Sequence, residues 1–317
     1  GLGKSGLGLI YATAPCKSGK RFNYDHLVIS TGCVPSPERI AGLTEGGDHF
    51  YQHGPARKLA DKLTRIEKGR IFITVTFPKT PNVPHQCGIA PIETTLMLDD
   101  LLRRRGVRDK VEIIYTYPTV SQLLRNCLFL QRDTCEILPT VFEQRGIRYQ
   151  RGFTLSHVDP DAKIAYSEEG ESEDFDILMA TPPIRAVQAV RDSGMSQAQD
   201  GEGWLPTDHE TMQMLGTSNV YVLGDTVDLP VSKAGGSCHS QSPVVVNNIA
   251  SQIRFDRTCD AYDGRVVAIA QMGLDDGMPL WYDYKVDVKP TPPTKIGGMM
   301  RKGFNRGLYW AVARALV

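Results

Sequence analysis

The chain has 317 residues, 36 Lys plus Arg against 36 Asp plus Glu, and 41% hydrophobic residues, enough for two domains with real cores and an ordinary globular composition. Balanced charge exerts no global pull toward nucleic acid, and seven cysteines, an odd number with no C-x-x-C pair, read neither as a secreted disulfide framework nor as a zinc site. No apolar run approaches the about 18 residues of a membrane span.

The first ten residues, GLGKSGLGLI, set Gly1, Gly3 and Gly6 in the G-x-G-x-x-G spacing of a dinucleotide-binding turn. That motif works only between a strand and a helix, whose N-terminus receives the pyrophosphate. No strand stands before Gly1, and the residues that follow, YATAPCKSGKRFNYDHLVIST, lack apolar residues at helical spacing. With Pro15 and a turn at Lys17 to Lys20 they predict strand, turn, strand. The glycines are read as a decoy.

NYDHLVISTGCVPS (Asn23 to Ser36) and DFDILMATPPIRAV (Asp174 to Val187) share an aromatic-Asp pair, a short apolar run and a Thr. Both predict buried strands of a covered sheet, ending in turns where ligands meet the carboxyl ends of strands. Between them, Gly69 to Phe77 predicts a buried strand, Pro91 to Gly106 a helix, Lys110 to Tyr117 a strand, and Leu130 to Arg145 a helix closed by Gly146, with further strand in IRYQRGFTLSHV. This β-α-β-α-β order implies a parallel sheet with right-handed crossovers. Asn219 to Pro230 adds a strand with a Gly-Asp turn, and a helix is expected from about Gly236 to Ile253.

YDHLVISTG followed far downstream by NVYVLGD resembles the two-dinucleotide-binding-domain flavoproteins. Within them, TFPKTPNVPHQCGIAP (Thr76 to Pro91), TPP (Thr181 to Pro183) and GDTVDLPVSKAG (Gly224 to Gly235) resemble the sulfide:quinone oxidoreductase and flavocytochrome sulfide dehydrogenase branch, over about Asp25 to Asp263. The resemblance implies an α/β fold of two Rossmann-like (FAD/NAD(P)-binding type) units, the first incomplete, plus a C-terminal amphipathic tail. The expected divisions are residues 1–68, a remnant of the FAD-binding domain; 69–199, an NAD-type domain; 200–255, a return to the FAD-binding domain; and 256–317, a C-terminal region. The family holds its FAD pyrophosphate on an N-terminal βαβ unit of about 30 residues, which cannot fit into Gly1 to Leu9, so the sequence is expected to be N-terminally truncated.

Pro78, Pro81 and Pro84 strip amide donors from the turn after the Gly69 strand, and a pyrophosphate needs those donors. The domain is therefore not expected to bind NAD(P)H. The same loop presents Cys87 before a helix and two residues from His85, a setting that stabilises thiolates. The alternative is a small buried thiol. The resemblance implies that Cys87 faces the flavin and carries sulfur, and that Gly224 and Asp225 meet the ribityl chain. It also implies that Lys233 lies near the flavin pyrimidine, as a catalytic as well as a cofactor-binding residue, and that Thr31 and Gly32 line the FAD-side turn. A β-turn Asp and a solvated Lys remain the plain alternatives. The family uses a second redox cysteine, which should fall near Ala268, where there is none. Cys238 and Cys259 are the remaining choices, each also readable as a bystander, and Cys16, Cys33, Cys127 and Cys135 have no supporting context.

Met299 to Val317 carries Arg301, Lys302, Arg306 and Arg314, no acid, and Met300, Phe304, Leu308, Val312 and Leu316 every fourth residue. With Tyr309 and Trp310 this predicts an interfacial amphipathic helix, weakened by Gly303 and Gly307, or else a helix docked on the body. The implied activity is transfer of electrons from sulfide or another small sulfur donor, through Cys87 and FAD, to a quinone. The implied setting is a peripheral membrane face of cytoplasmic or mitochondrial type, with homo-oligomerisation open. A flavin NAD(P)H dehydrogenase and a degenerate binding module are the rivals.

Overall fold

The structure, a computed structural model, describes residues 12–15, 21–76, 87–118, 139–196, 202–229, 231, 233–285, 291–312 and 314. The opening glycines, the prolines at 78, 81 and 84, His85, Cys127 and Cys135 lie outside these residues, as does most of the helix expected from Leu130.

β1 (Ala12–Pro15) and β2 (Arg21–Tyr24) form the expected antiparallel hairpin. β3 (Leu27–Ile29) pairs in parallel with β14 (Val220–Val222), and β4 (Cys33–Pro35) pairs antiparallel with β13 (Ile184–Ala186). Ile29, Trp204, Tyr221 and Val244 share the core of this first unit. The NYDHLVISTG run was expected to be buried throughout; Ile29 is, but Val28 is 44% exposed. Among the described residues β3 has one strand neighbour, so its second face lacks the cover that a wider sheet would supply.

The second unit is a five-stranded sheet in the order β5-β12-β6-β7-β8, every neighbouring pair parallel. Its strands are β5 (Gly47–Asp48), β6 (Gly69–Val75), β7 (Val111–Tyr117), β8 (Arg148–Arg151) and β12 (Ile177–Thr181). Successive side chains of a strand point to opposite faces. Ile71, Ile73, Ile113, Tyr115 and Met179 therefore enter one core, and Phe72, Ile114, Leu178 and Ala180 enter another. Helices cover the first face: α2 (His53–Arg65) through Leu59, and α3 (Ile89–Arg104) through Ile92, Leu96 and Leu102. On the second face lie α1 (Leu43–Gly46) and an antiparallel meander of β9 (Leu155–Asp159), β10 (Ile164–Ser167) and β11 (Ser172–Asp174). IRYQRGFTLSHV thus divides between two sheets. Two covers explain why Ile71 to Ile73 of β6 and Ile177 to Ala180 of β12 are apolar on both faces.

α3 begins at Ile89, two residues before the expected start, with Pro91 in the first turn, where a missing amide costs nothing. Residues 139–144 form α4, and Gly146 ends it with φ +65°, a left-handed stop that suits glycine. A short α5 (Gln188–Arg191) follows β13, and α6 (Gly235–Phe255) is the longest helix among the described residues.

Asp99 of α3 is fully buried and receives Arg103 Nε at 2.9 Å, Arg108 Nε at 2.5 Å and Arg145 Nη1 at 3.0 Å. Arg145 also bonds Asp100, and Arg108 bonds the Gly146 carbonyl. One carboxylate thereby ties α3 to the segments before β7 and β8.

The hairpin of β15 (Val266–Gln271) and β16 (Gly277–Tyr282) is covered by α7 (Lys295–Gly303), which Thr294 caps by accepting the Gly297 amide. A π turn (Phe304–Leu308) and α8 (Tyr309–Val312) complete this end. The π turn starts directly after Gly303 and contains Gly307, the residues expected to weaken the helix. Gly297 and Gly298 lie flat on the turn between the strands; a Cβ at Gly298 would overlap the Asp275 carbonyl. Gly298→Ala is therefore expected to lift α7, and amide hydrogen exchange across residues 295–303 should speed up by at least about tenfold while the β6–β7 amides keep their protection.

Candidate functional site

The site begins where β3 and β14 end. Gly32 and Gly224 adopt φ +71° and +72°, conformations natural to glycine, and a Cβ at Gly32 would meet nothing within 4 Å. A 3-10 turn (Gly224–Thr226) carries Asp225. Gly224 donates its amide to Gln241 Oε1 at 2.8 Å, and Leu223 donates to the Ile29 carbonyl at 3.1 Å. The Thr31 hydroxyl lies 3.2 Å from that of Thr226, which also bonds the Gly32 carbonyl. The two turns are thus locked together, with a bare backbone surface between them. The Cys33 thiol donates to Asp225 Oδ2 at 3.6 Å. Burial first, and the Asp225 charge second, push that thiol up to about 12, so it stays neutral.

The expectation for Lys233 changes. Its side chain is buried beneath the Asp225 turn, where the ammonium donates to the carbonyls of Asp225 and of Val227, the latter at 2.8 Å, and sits 4.0 Å from the centre of the Trp204 ring. The solvated alternative does not hold. Burial lowers its pKa to about 8 against the opposing charges of Asp225, Asp228 and Glu202. Lys233 therefore holds the turn from below.

Ser30, Gly32, Gly224, Asp225 and Cys238 surround a hollow of about 270 Å³. Ala234, Gly235 and His239 belong both to this hollow and to a cavity of about 520 Å³ lined by Cys87, Ile89, Glu93, Val267, Ala268, Arg301 and Phe304. The N-terminus of α6 stands at the junction. Its cap residue, Ala234, offers no side-chain bond to the first-turn amides, a disposition that suits an anionic group. Gly236 lets α6 press onto β15, since a Cβ there would overlap the Val267 carbonyl.

Cys87 is reduced and half-buried, one residue before the Gly88 cap of α3. Across its cavity Glu93 accepts the Gln271 amide at 2.6 Å and faces Arg301 at 3.8 Å. Burial raises the Glu93 pKa; the Gln271 amide and Arg301 oppose it. Ala268 lines this cavity, so the position expected for a second cysteine is near Cys87 but carries a methyl group. Cys238 lines the smaller hollow. Cys259 is exposed, bonded to Asn248 and Asn247, and lines neither.

No family model matches the chain. It is 28% identical over 241 residues to the mitochondrial sulfide:quinone oxidoreductase of Dictyostelium discoideum, covering 74% of this chain and 51% of that protein. The Mus musculus mitochondrial sulfide:quinone oxidoreductase is 26% identical over 287 residues, covering 87% of this chain and 61% of that one. The chain thus spans about half to three fifths of these relatives. The solved sulfide:quinone oxidoreductase of Aquifex aeolicus superposes with TM-score 0.76 at 19% identity, over 95% of this chain and 72% of that one. The chain is sulfide:quinone oxidoreductase-like. Its fold is that of the flavoproteins with two dinucleotide-binding units; the A. fulgidus NAD-dependent persulfide reductase matches with TM-score 0.56 at 16% identity, over 83% of this chain and 44% of that one.

In this sulfide:quinone oxidoreductase-like chain, Gly32, Gly224 and Asp225 line one hollow, and Cys87 lines the adjoining cavity. Thr31 joins the clasp between the turns. Glu93, His239 and Arg301 were not anticipated. His239 follows Gly235 by four residues, one helical turn, so the helix predicted after Lys233 could have revealed it. Arg301 reaches the site from another element, and no local pattern announces it.

Proposed function

We propose that the chain is an FAD-dependent oxidoreductase of the sulfide:quinone oxidoreductase type. It passes two electrons from a small sulfur donor, through Cys87 and flavin, to a membrane quinone. The observation that carries this reading is the continuity of the two hollows: a backbone cradle for a dinucleotide at Gly32, Gly224 and Asp225 opens past the α6 N-terminus onto the Cys87 cavity. The cradle fits the cofactor because bare glycine backbone faces it on two sides and an uncapped helix end stands beside it. Bound FAD supplies a two-electron acceptor. Asp225 would bind a hydroxyl of its chain, and Lys233 fixes Asp225 from behind. Cys87 as a thiolate holds the donor sulfur, and Ile89, Val267 and Phe304 give the cavity an apolar wall suited to a quinone ring.

Two features support a membrane face. Ile296, Met299, Met300, Leu308 and Trp310 are exposed beside Lys302 and Arg306, the composition of a helix resting in a lipid interface. Among the described residues no helix is long and apolar enough to cross a membrane, and the contact proposed here is the monotopic one of that exposed apolar face. Phe304 lines the cavity, which divides the fourfold apolar stripe between lipid and site. A second reading, a binding module without turnover, is favoured by Ala268, which lines the Cys87 cavity with a methyl group where the resemblance implies a second redox sulfur.

The test is the flavin absorbance of the purified, FAD-reconstituted protein. Bleaching by sulfide and not by NADH, with colour restored by a short-chain quinone, is the expected result. Bleaching by NADH would reject the reading, and failure to take up FAD would leave the binding module.

A further inference from the structure

A separate cavity, of about 320 Å³, lies at the carboxyl ends of β5 and β12, the end of a parallel sheet at which open α/β folds receive ligands. It shares no lining residue with the Cys87 cavity or with the hollow between Gly32 and Gly224. Pro37, Leu43, Pro55, Ala180 and Pro182 give it apolar walls. Thr44 aside, its polar side chains come from the turn that joins β5 to α2 and from the first turns of α2: Asp48, His49, Gln52 and Lys58.

His49 decides what this cavity can bind. The residue is 5% exposed, and its Nδ1 accepts the Tyr51 amide at 3.3 Å. An imidazolium carries hydrogen on both nitrogens and could not accept that bond, so the ring is neutral with its hydrogen on Nε2. Burial keeps it neutral by lowering its pKa, against the opposing charge of Asp48. Nε2 has no hydrogen-bond partner among the described residues, and a buried donor beside a cavity calls for an acceptor. The charges beside it sum to a cation. Asp48 is 2% exposed and both of its oxygens are taken: Lys58 pairs with Oδ1 at 3.2 Å and Lys62 bonds Oδ2. Two ammonium groups against one carboxylate leave a positive surplus. The N-terminus of α2 adds to it, since its cap residue Gln52 lines the cavity and makes no side-chain bond to the first-turn amides.

We propose that this cavity binds a small organic anion, a carboxylate on a short apolar chain, with the carboxylate accepting from His49 Nε2 and balanced by Lys58. Asp48 holds Lys58 at the rim. The apolar walls take the chain, which an inorganic oxyanion would leave unused. A cavity this size is at the small end for ligand sites, so the chain is a few carbons long. The site is independent of the flavin chemistry proposed above.

The test is calorimetric titration of the full chain with hexanoate, hexanamide and sodium sulfate, paired with the ¹⁵N resonance of His49 Nε2 in histidine-labelled protein. Hexanoate should bind and shift that resonance. Hexanamide, which lacks the charge, and sulfate, which lacks the chain, should each bind at least about tenfold more weakly. His49→Phe, which removes the donor, and Lys58→Gln, a change at a half-exposed side chain that should leave the fold intact, should each weaken hexanoate by about tenfold. No binding of hexanoate, equal affinity for hexanamide or for sulfate, or unchanged affinity in either variant would overturn the inference.

Discussion

Cys87→Ser is expected to lower sulfide-driven flavin reduction by at least about 10³-fold, since a serine hydroxyl is neither ionised nor soft at neutral pH. The variant should still take up FAD, because Gly32, Gly224, Asp225 and Lys233 are untouched and Cys87 lies in the neighbouring cavity. Stopped-flow absorbance with sulfide checks the rate, and the flavin spectrum checks occupancy. Near-wild-type reduction would move the nucleophile elsewhere, and Cys238 is the thiol in the adjoining hollow. Because Ala268 offers no second sulfur, Ala268→Cys gives a complementary measure. It places a thiol in the same cavity, and a gain in sulfide turnover would show that the position lacks only its sulfur.

Asp99→Ala is expected to destabilise the protein by about 3–5 kcal/mol, the usual cost of removing one partner from a buried charge cluster, and to lower the melting temperature on the order of 10 °C. Arg103, Arg108 and Arg145 would be left facing one another across the space that the carboxylate filled. Burial alone would push the Asp99 carboxyl up, but the hydrogen bonds of the three arginines together outweigh it and hold it below the ordinary carboxylate range. Its contribution is therefore complete above the unfolded value of about 4 and is lost as pH falls through the lower, folded value. Acid unfolding of the wild type should thus show a limb, on the acid side of pH 4, that Asp99→Ala lacks. Thermal denaturation at pH 7 and an acid titration followed by circular dichroism check the two claims.

The strands of the parallel sheet were legible because both of their faces are covered. Ile71 to Ile73 and Ile177 to Ala180 are apolar at successive positions, on both faces of the pleat, as a doubly covered strand allows. Of the meander from Leu155 to Asp174, only β9 was legible, inside IRYQRGFTLSHV; β10 and β11 were not. Both are three or four residues long, so neither period nor run length marks them. Val28 misled for a related reason: its run looks like that of Ile177 to Thr181, and burial depends on neighbours that a local pattern does not contain. At the site, the turn glycines and Asp225 were readable, since backbone constraints leave local signatures. Lys233 was not. Whether a lysine meets solvent or bends beneath a loop onto Trp204 is decided by residues about thirty positions away. Glu93 and Arg301 are joined across 208 positions (93 to 301), and no spacing rule reaches that far.

α7 does two jobs with nine residues. Gly297 and Gly298 bolt it to the β15–β16 hairpin, and Arg301, one turn later, forms part of the chamber around Cys87. A preparation that sheds or loosens this helix, by proteolysis or harsh detergent, would breach that chamber and let bulk water reach the thiol. Oxidative inactivation in such a sample would then record a lost wall, with the hollow between Gly32 and Gly224 still whole.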